Sequence, residues 1–360
     1  DERNRARGRA DLAGAFREYP YWGLLQATEV AIVAGVLWFG SRSASGAALS
    51  VGTLVLFVEY VRRLFQPLVH FSEQLNFVQR ALASSDRVLA VLDTPTRTPD
   101  APDAADRVPA DWRELAFEDV TFAYRDAARP AVEGVSFRVR RGETVALVGV
   151  SGGGKTTLAS LLLRFHDPSS GRISLDGVDI RGFQKRAWRR RLGLVLQDVQ
   201  LFPGTVAENL RVFIGDGPDG ISDQAIDRAL DVVEARPIVE RLPAGLATQL
   251  AEGGSNLSVG ERQVLSFARA VVRDPDILVL DEATSSVDPA TERRLQRSLE
   301  RLLAGRTAIV IAHRLETVRR AHRIVVLHGG KAVEIGTHDE LLARGGLYRD
   351  LVELQRLGVS

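Results

Sequence analysis

The run Gly149 to Thr156, GVSGGGKT, fits the pattern G-x-x-x-x-G-K-[ST] and lies between an apolar stretch, TVALV, and a helical one, TLASLLLRF. A glycine-rich turn in that context aims backbone N–H groups inward. The helix that follows adds its positive end, so phosphate oxygens are bound. Gly149, Ser151, Gly152, Gly153, Gly154 and Thr157 belong to this nucleotide cradle. Lys155 is placed to reach the outer phosphates and Thr156 to hold Mg²⁺. The chain has 47 basic residues, of which Lys155, Lys185 and Lys331 are the lysines. A lysine at the one position the pattern demands therefore argues against a chance glycine-rich turn.

Two further runs carry charge chemistry. DILVLDE, Asp276 to Glu282, is an apolar strand ending in two carboxylates. Asp281 is expected in the Mg²⁺ shell, and Glu282 is expected to polarise the water that attacks a γ-phosphate. LSVGERQ, Leu257 to Gln263, opens a second helix. Ser258 suits its N-cap and Gly260 leaves N–H groups exposed at a positive helix end. The chain thus has two anion-binding termini and one nucleotide loop. One economical solution is two chains head to tail, each offering this helix to the other's γ-phosphate; an ordinary helix cap is the plainer alternative.

Taken together these motifs resemble those of the ATP-binding-cassette (ABC) proteins, most closely the fused membrane-plus-ATPase exporters. The resemblance implies an α/β P-loop NTPase cassette with an inserted helical subdomain, preceded by an α-helical transmembrane hairpin. It implies that ATP is hydrolysed with Mg²⁺ and that a second half-transporter is the partner, in a homodimer or heterodimer. Tyr124 matches the aromatic that stacks on adenine. Gln197 matches the glutamine that touches Mg²⁺ and couples to the membrane domain. Asp288, ending SSVD, matches the loop that communicates across the dimer, and His313 the switch histidine at the γ-phosphate. Glu252 falls where exporters place an acidic residue facing the membrane domain's cytoplasmic loops. The chain departs from the family in its signature, LSVGE in place of L-S-G-G-Q, with Val259 and Glu261 substituted. The resemblance further implies a multi-pass protein of the bacterial cell membrane with its ATPase domain in the cytoplasm, exporting a lipid, drug or peptide.

The elements that must position these residues run from about Arg113 to the end. Strand-like runs beginning at Leu115, Val135, Thr144, Gly171, Leu192, Asp276, Thr307 and Arg323 alternate with helical stretches, which argues for a mainly parallel sheet with antiparallel pieces at the start. Thr205 to Arg273 is mostly helical in pattern and reads as the inserted subdomain. Upstream, residues 93–112 hold Pro95, Pro99, Pro102 and Pro109 and read as a linker. Residues 1–92 read as the C-terminal part of a membrane domain. The apolar run Tyr19 to Gly40 is long enough for a bilayer core at about 33 Å, although Glu29 costs about 2.5–3.5 kcal/mol there. A second run, Ala47 to Val61, continues as helix-compatible sequence to Leu92, about 66 Å from Leu49, with Pro67 expected to bend it.

Composition excludes several classes. A net charge of +1 gives no electrostatic case for nucleic acid, and the absence of cysteine removes disulfides and thiolate chemistry. The chain has no methionine, even at position 1, as expected of a piece of a longer product; a full membrane domain needs about four more spanning helices. The basic cluster KRAWRRR, Lys185 to Arg191, reads as a solvated helix face. A soluble ABC ATPase of the DNA-repair or translation type is the alternative, and the apolar hairpin argues against it. A GTPase lacks support because no Asn-Lys-x-Asp motif occurs.

Overall fold

The computed structural model describes residues 23–24, 26–40, 42, 50–94, 98–125, 127–211, 220–281, 289–312 and 314–356. The chain divides into two compact units, Asp1–Pro95 and Thr96–Ser360.

In the first unit residues 26–40 are helical. A 42-residue helix, Val51–Leu92, follows, with Pro67 inside it. Ser50 caps its start, its hydroxyl accepting the Thr53 N–H at 3.2 Å. At 1.5 Å per residue the helix is about 63 Å long. Val55, Leu56, Phe57, Tyr60 and Leu64 lie exposed along it. Among the described residues no helix is long and apolar enough to cross a membrane. Glu29 interrupts the first apolar run, Glu59 the second, and Arg62 and Arg63 follow it, while Tyr19 to Trp22 lie outside the described residues.

Among the described residues the second unit has two main sheets and a small two-stranded one. The strands are β1 (Glu114–Phe122), β2 (Val132–Arg140), β3 (Thr144–Val148), β4 (Ser170–Leu175), β5 (Val178–Asp179) and β6 (Leu192–Val195). They continue with β7 (Gly204–Thr205), β8 (Gln249–Leu250), β9 (Ile277–Asp281), β10 (Thr307–Ile311), β11 (Arg323–His328) and β12 (Lys331–Gly336). One sheet has the order β2-β1-β4-β5 and is antiparallel. The other has the order β12-β11-β3-β10-β9-β6 and is parallel except at β12.

β3 explains why its sequence is an unbroken apolar run. Side chains alternate along a strand, and both faces of β3 are covered. Val145 and Leu147 join a core with Phe117 and Phe137 of the antiparallel sheet and Leu158 and Leu161 of the helix Lys155–Leu162. Ala146 and Val148 join a second core with Val264, Leu265 and Phe267 of the helix Val259–Val271. A strand buried on both sides reads as a near-continuous apolar run, here Val145 to Val148 after the buried Thr144.

Between Thr205 and Arg273 the described residues form the helices Val206–Arg211, Asp223–Val232, Arg236–Glu240 and Val259–Val271. Upstream of β1, residues 98–112 pack against the cassette. Val108 and Trp112 are buried in the core of the antiparallel sheet. Asp100 accepts the Lys185 N–H at 3.0 Å and lies 3.4 Å from the buried Arg164 guanidinium.

Candidate nucleotide-binding site

Strand register brings the functional residues to one edge. Leu147 of β3 lies beside Ile311 of β10, and Ile311 beside Asp281 of β9. Leu280 pairs with Val195, the last residue of β6. The chain therefore leaves β3, β6 and β9 at neighbouring carboxyl ends, where open α/β sheets place their ligands. Gly149 follows β3 directly, Asp281 ends β9, and the exposed Gln197 sits two residues beyond β6.

The loop after β3 is held by two glycines that tolerate nothing larger. Gly149 has φ +148° and a Cβ there would lie 2.1 Å from the Leu327 carbonyl oxygen. Gly154 has φ +99° and a Cβ would lie 2.6 Å from the Ala131 carbonyl oxygen. Gly154 is also the N-cap of the helix Lys155–Leu162, which has no side-chain cap and no acidic residue in its first turn. Its N-terminal donors are therefore left for a ligand.

The other end of that helix is closed. Trp188 Nε1 donates to the Leu162 carbonyl at 2.7 Å, and Arg189 donates to the carbonyls of Leu163 and Arg164 at 2.9 and 2.8 Å. The KRAWRRR cluster is thus not a merely solvated face. Trp188 is fully buried, and Arg189 brings positive charge to the negative end of the loop helix. Burial pulls the Arg189 guanidinium below its ordinary pKa, and the charge of Arg164 adds to the effect.

Lys155 is 7% exposed. Its ammonium donates to the carbonyls of Gly149 and Val150 at 2.8 and 3.0 Å, at the centre of the loop. Burial lowers its pKa, and the carboxylate of Asp281 works in the opposite direction. Ser151 and Thr156 are exposed, while Thr157 is buried beneath Tyr124, whose hydroxyl lies 3.4 Å from Thr157 Oγ1. Tyr124 stands edge-on to Phe122 and His166, with ring centroids 4.9 and 5.4 Å away. This leaves it 42% exposed, a supported aromatic surface suited to a base. Glu282, Asp288 and His313 lie outside the described residues.

The second helix terminus is built differently. Ser258 caps Val259–Val271, its hydroxyl accepting the Glu261 N–H at 3.2 Å. The Glu261 carboxylate in turn accepts the Ser258 N–H at 3.0 Å, completing a capping box. That hydrogen bond, aided by the charges of Arg241 and Arg294, holds the Glu261 carboxyl below the ordinary glutamate range. Gly260 is buried, and a Cβ on it would lie 2.2 Å from Thr291 Cγ2. Its small size thus serves packing as well as N–H access.

Residues 132–285 match the family model described as ABC transporter. The ABC transporter ATP-binding protein YknV of Bacillus subtilis is 40% identical over 332 residues, 92% of this chain and 54% of that protein. The ATP-dependent lipid A-core flippase of Chromobacterium violaceum is 43% identical over 333 residues, 92% of this chain and 56% of that protein. A solved structure of a bacterial Atm1-family ABC exporter with ATP bound matches 99% of this chain and 62% of that one, at TM-score 0.71 and 35% identity. This chain carries an ABC transporter domain. It spans about half the length of the curated relatives it matches.

Beside Gln197 the ABC domain has a groove that no sequence motif announces. It is a cavity of about 260 Å³ lined in part by Phe165, Leu196 and Phe202, with Arg189 and Arg269 among its walls. Those three apolar residues are each 41–50% exposed. Glu252 is exposed and opens the short turn Glu252–Gly254. The groove, the aromatic seat of Tyr124 and the contact of Gly260 with Thr291 join residues far apart in sequence. None leaves a local pattern to read.

Proposed function

We propose that this chain is the ATP-hydrolysing part of an ABC exporter half-transporter, two of which close on ATP and couple its hydrolysis to export. The observation that supports this most is the shared edge, where the loop of Lys155 follows β3, Asp281 ends β9 and Gln197 leaves the neighbouring β6. ATP is the substrate. Gly149, Ser151, Gly152, Gly153 and Gly154 wrap its phosphates, and Lys155 exchanges its two loop carbonyls for phosphate oxygens. Tyr124 stacks on the adenine.

The donors near the loop suit Mg²⁺. A hydroxyl (Thr156), a carboxylate (Asp281) and an amide (Gln197) are hard oxygen ligands. Among the described residues no group of three or more His, Cys, Asp or Glu could hold a metal ion, so these donors match an ion that is carried largely by the phosphates. When bound it neutralises phosphate charge. Glu282 polarises the attacking water, His313 contacts the γ-phosphate and Asp288 communicates with the partner chain. Ser258 and Gly260 face the partner's nucleotide.

The exposed groove beside Gln197 receives a cytoplasmic loop of the exporter's membrane part, and Glu252 faces such loops. The relatives are longer than this chain, which leaves room for such a part. The protein then resides in the bacterial cell membrane as a multi-pass half-transporter with its cassette in the cytoplasm. Its cargo belongs to the lipid, drug or peptide class, and similarity to a lipid A-core flippase favours the first. The test is Glu282→Gln, which should keep ATP binding and cut turnover at least about 10²-fold, the low end of general-base assistance. Near-wild-type steady-state hydrolysis would remove Glu282 from its role.

A further inference from the structure

The start of the signature helix carries a negative charge where an anion is to be received. The Ser258 hydroxyl accepts from the Glu261 N–H, so it keeps its own proton for an outside acceptor. The Ser258 N–H is taken by Glu261 Oε2. A carboxylate in the first turn favours the helix, but it repels a triphosphate brought against the same turn.

The other carboxylate oxygen has a partner from a different element. Glu261 Oε1 accepts from Arg241 Nη2 at 3.1 Å. Arg241 follows the helix Arg236–Glu240 and is itself fixed, its Nε donating to the Pro237 carbonyl at 3.0 Å. The side chain of Glu261 is 26% exposed against 63% for Arg241, so the arginine lies on the outer, solvent side of the pair. Both carboxylate oxygens are therefore occupied, one by the cap and one by a cation.

We propose that Arg241 is a positioning residue for ATP engagement: it neutralises Glu261 and pins its carboxylate into the cap, so that Ser258 and the helix end meet the partner's γ-phosphate without like-charge repulsion. The role matters here because the chain has Glu261 where a neutral glutamine is usual in the signature. It rests on the reading that Ser258 acts on the nucleotide held by the other chain's Lys155.

The experiment is steady-state ATP hydrolysis by the 360-residue chain in detergent, as a function of ATP and salt concentration. Arg241→Ala should raise the KM for ATP about 3–10-fold at low ionic strength, with kcat changed less, and the effect should shrink as salt is added. Glu261→Gln alone should lower KM, since glutamine can keep the capping box without the charge. In the Glu261→Gln background Arg241→Ala should have less than about twofold effect, while Arg241→Lys in the wild-type background should restore most of the affinity. An unchanged KM in Arg241→Ala overturns the proposal. So does an equal rise in the Glu261→Gln background, which would make Arg241 structural. If Arg241→Ala does not fold, a KM that fails to fall in Glu261→Gln overturns it instead. Ser258→Arg separates this from failure of the underlying reading. Should that variant hydrolyse ATP normally, the signature helix is not part of the site at all. Should it be dead while Arg241→Ala is silent, only the role of Arg241 is lost.

Discussion

Two helices of this cassette begin where we propose that phosphate is bound, and they are prepared in opposite ways. The loop helix Lys155–Leu162 begins bare. Gly154 offers no side-chain cap, no acid lies in the first turn, and a buried lysine stands first. The signature helix Val259–Val271 begins satisfied, with Ser258 and Glu261 bonded to one another's N–H groups. Uncapped donors cost stability unless something else fixes the helix. For the loop helix that something is at the far end, where Trp188 and Arg189 hold its last carbonyls. The difference teaches a division of labour. The loop end leaves its N-terminal donors open, whereas the signature end is a helix start already satisfied by its own capping box.

The largest contrast should come from the two N-caps. Gly154→Ala puts a methyl 2.6 Å from the Ala131 carbonyl at φ +99°, combining a left-handed backbone penalty of about 1–2 kcal/mol with overpacking of about 1–3 kcal/mol. ATP affinity of the single chain, read with a fluorescent analogue, should fall at least about tenfold because the N–H groups move. Ser258→Ala should cost about 1 kcal/mol of stability and leave that affinity unchanged. Equal losses of affinity would erase the distinction between the two ends.

A second effect of several kcal/mol concerns how the loop helix is anchored. Trp112 is 2% exposed and Val108 7%, and Asp100 reaches Arg164 just beyond the loop helix. A fragment beginning at Arg113 should therefore be less stable than one beginning at Thr96 by about 3 kcal/mol or more, the scale of losing a buried tryptophan. Urea unfolding of the two fragments measures it. Matching midpoints would mean that residues 98–112 merely lie on the cassette.

The signature end has its own steric signature, of intermediate size. Gly260→Ala drives a methyl into Thr291 of the helix Pro289–Leu303, 2.2 Å from its Cγ2, and should cost about 1–3 kcal/mol. Thr291→Ser removes the offending methyl and keeps the hydroxyl, so the double variant should recover most of the loss in thermal unfolding. If it recovers nothing, the glycine answers to backbone conformation and not to packing.

How far these differences were legible depends on the range of the interaction. The strands beginning near Leu115, Thr144, Asp276 and Thr307 could be read because burial on one or both faces writes itself into consecutive residues. The phosphate loop was legible for the same reason, as its glycines, Lys155 and Thr156 are neighbours. Once β6 and β9 are paired in parallel, Gln197 and Asp281 must share an edge. The capping box was half visible. Ser258 reads as an N-cap, and Glu261 three residues on completes the S-x-x-E pattern, though it first reads as a departure from the family signature. Arg241 was invisible because its partner lies 20 residues away on another element. The same holds for Trp112 in a proline-rich stretch that reads as linker, and for the clamp formed by Lys185 to Arg191.

The smallest expected effect separates the two ends by pH. Lys155 has its pKa lowered from 10.5, chiefly by burial. Its charge, and with it part of the loop's attraction for phosphate, should be lost at a lower pH than an exposed lysine would require. Single-chain ATP affinity should thus weaken on the alkaline side at a pH below 10.5. Glu261 behaves in the reverse sense. Its folded pKa lies below the unfolded value of 4.5, so it contributes stability that is present above about pH 4.5 and is lost as pH falls through the lowered folded value. The contribution should stay under about 1 kcal/mol, because the pair with Arg241 is partly exposed. Glu261→Gln should therefore flatten the acid limb of the stability profile slightly and leave the alkaline limb of ATP binding untouched. A change in the alkaline limb would mean that the two termini are electrostatically coupled within one chain, contrary to a head-to-tail pair in which each end serves a different nucleotide.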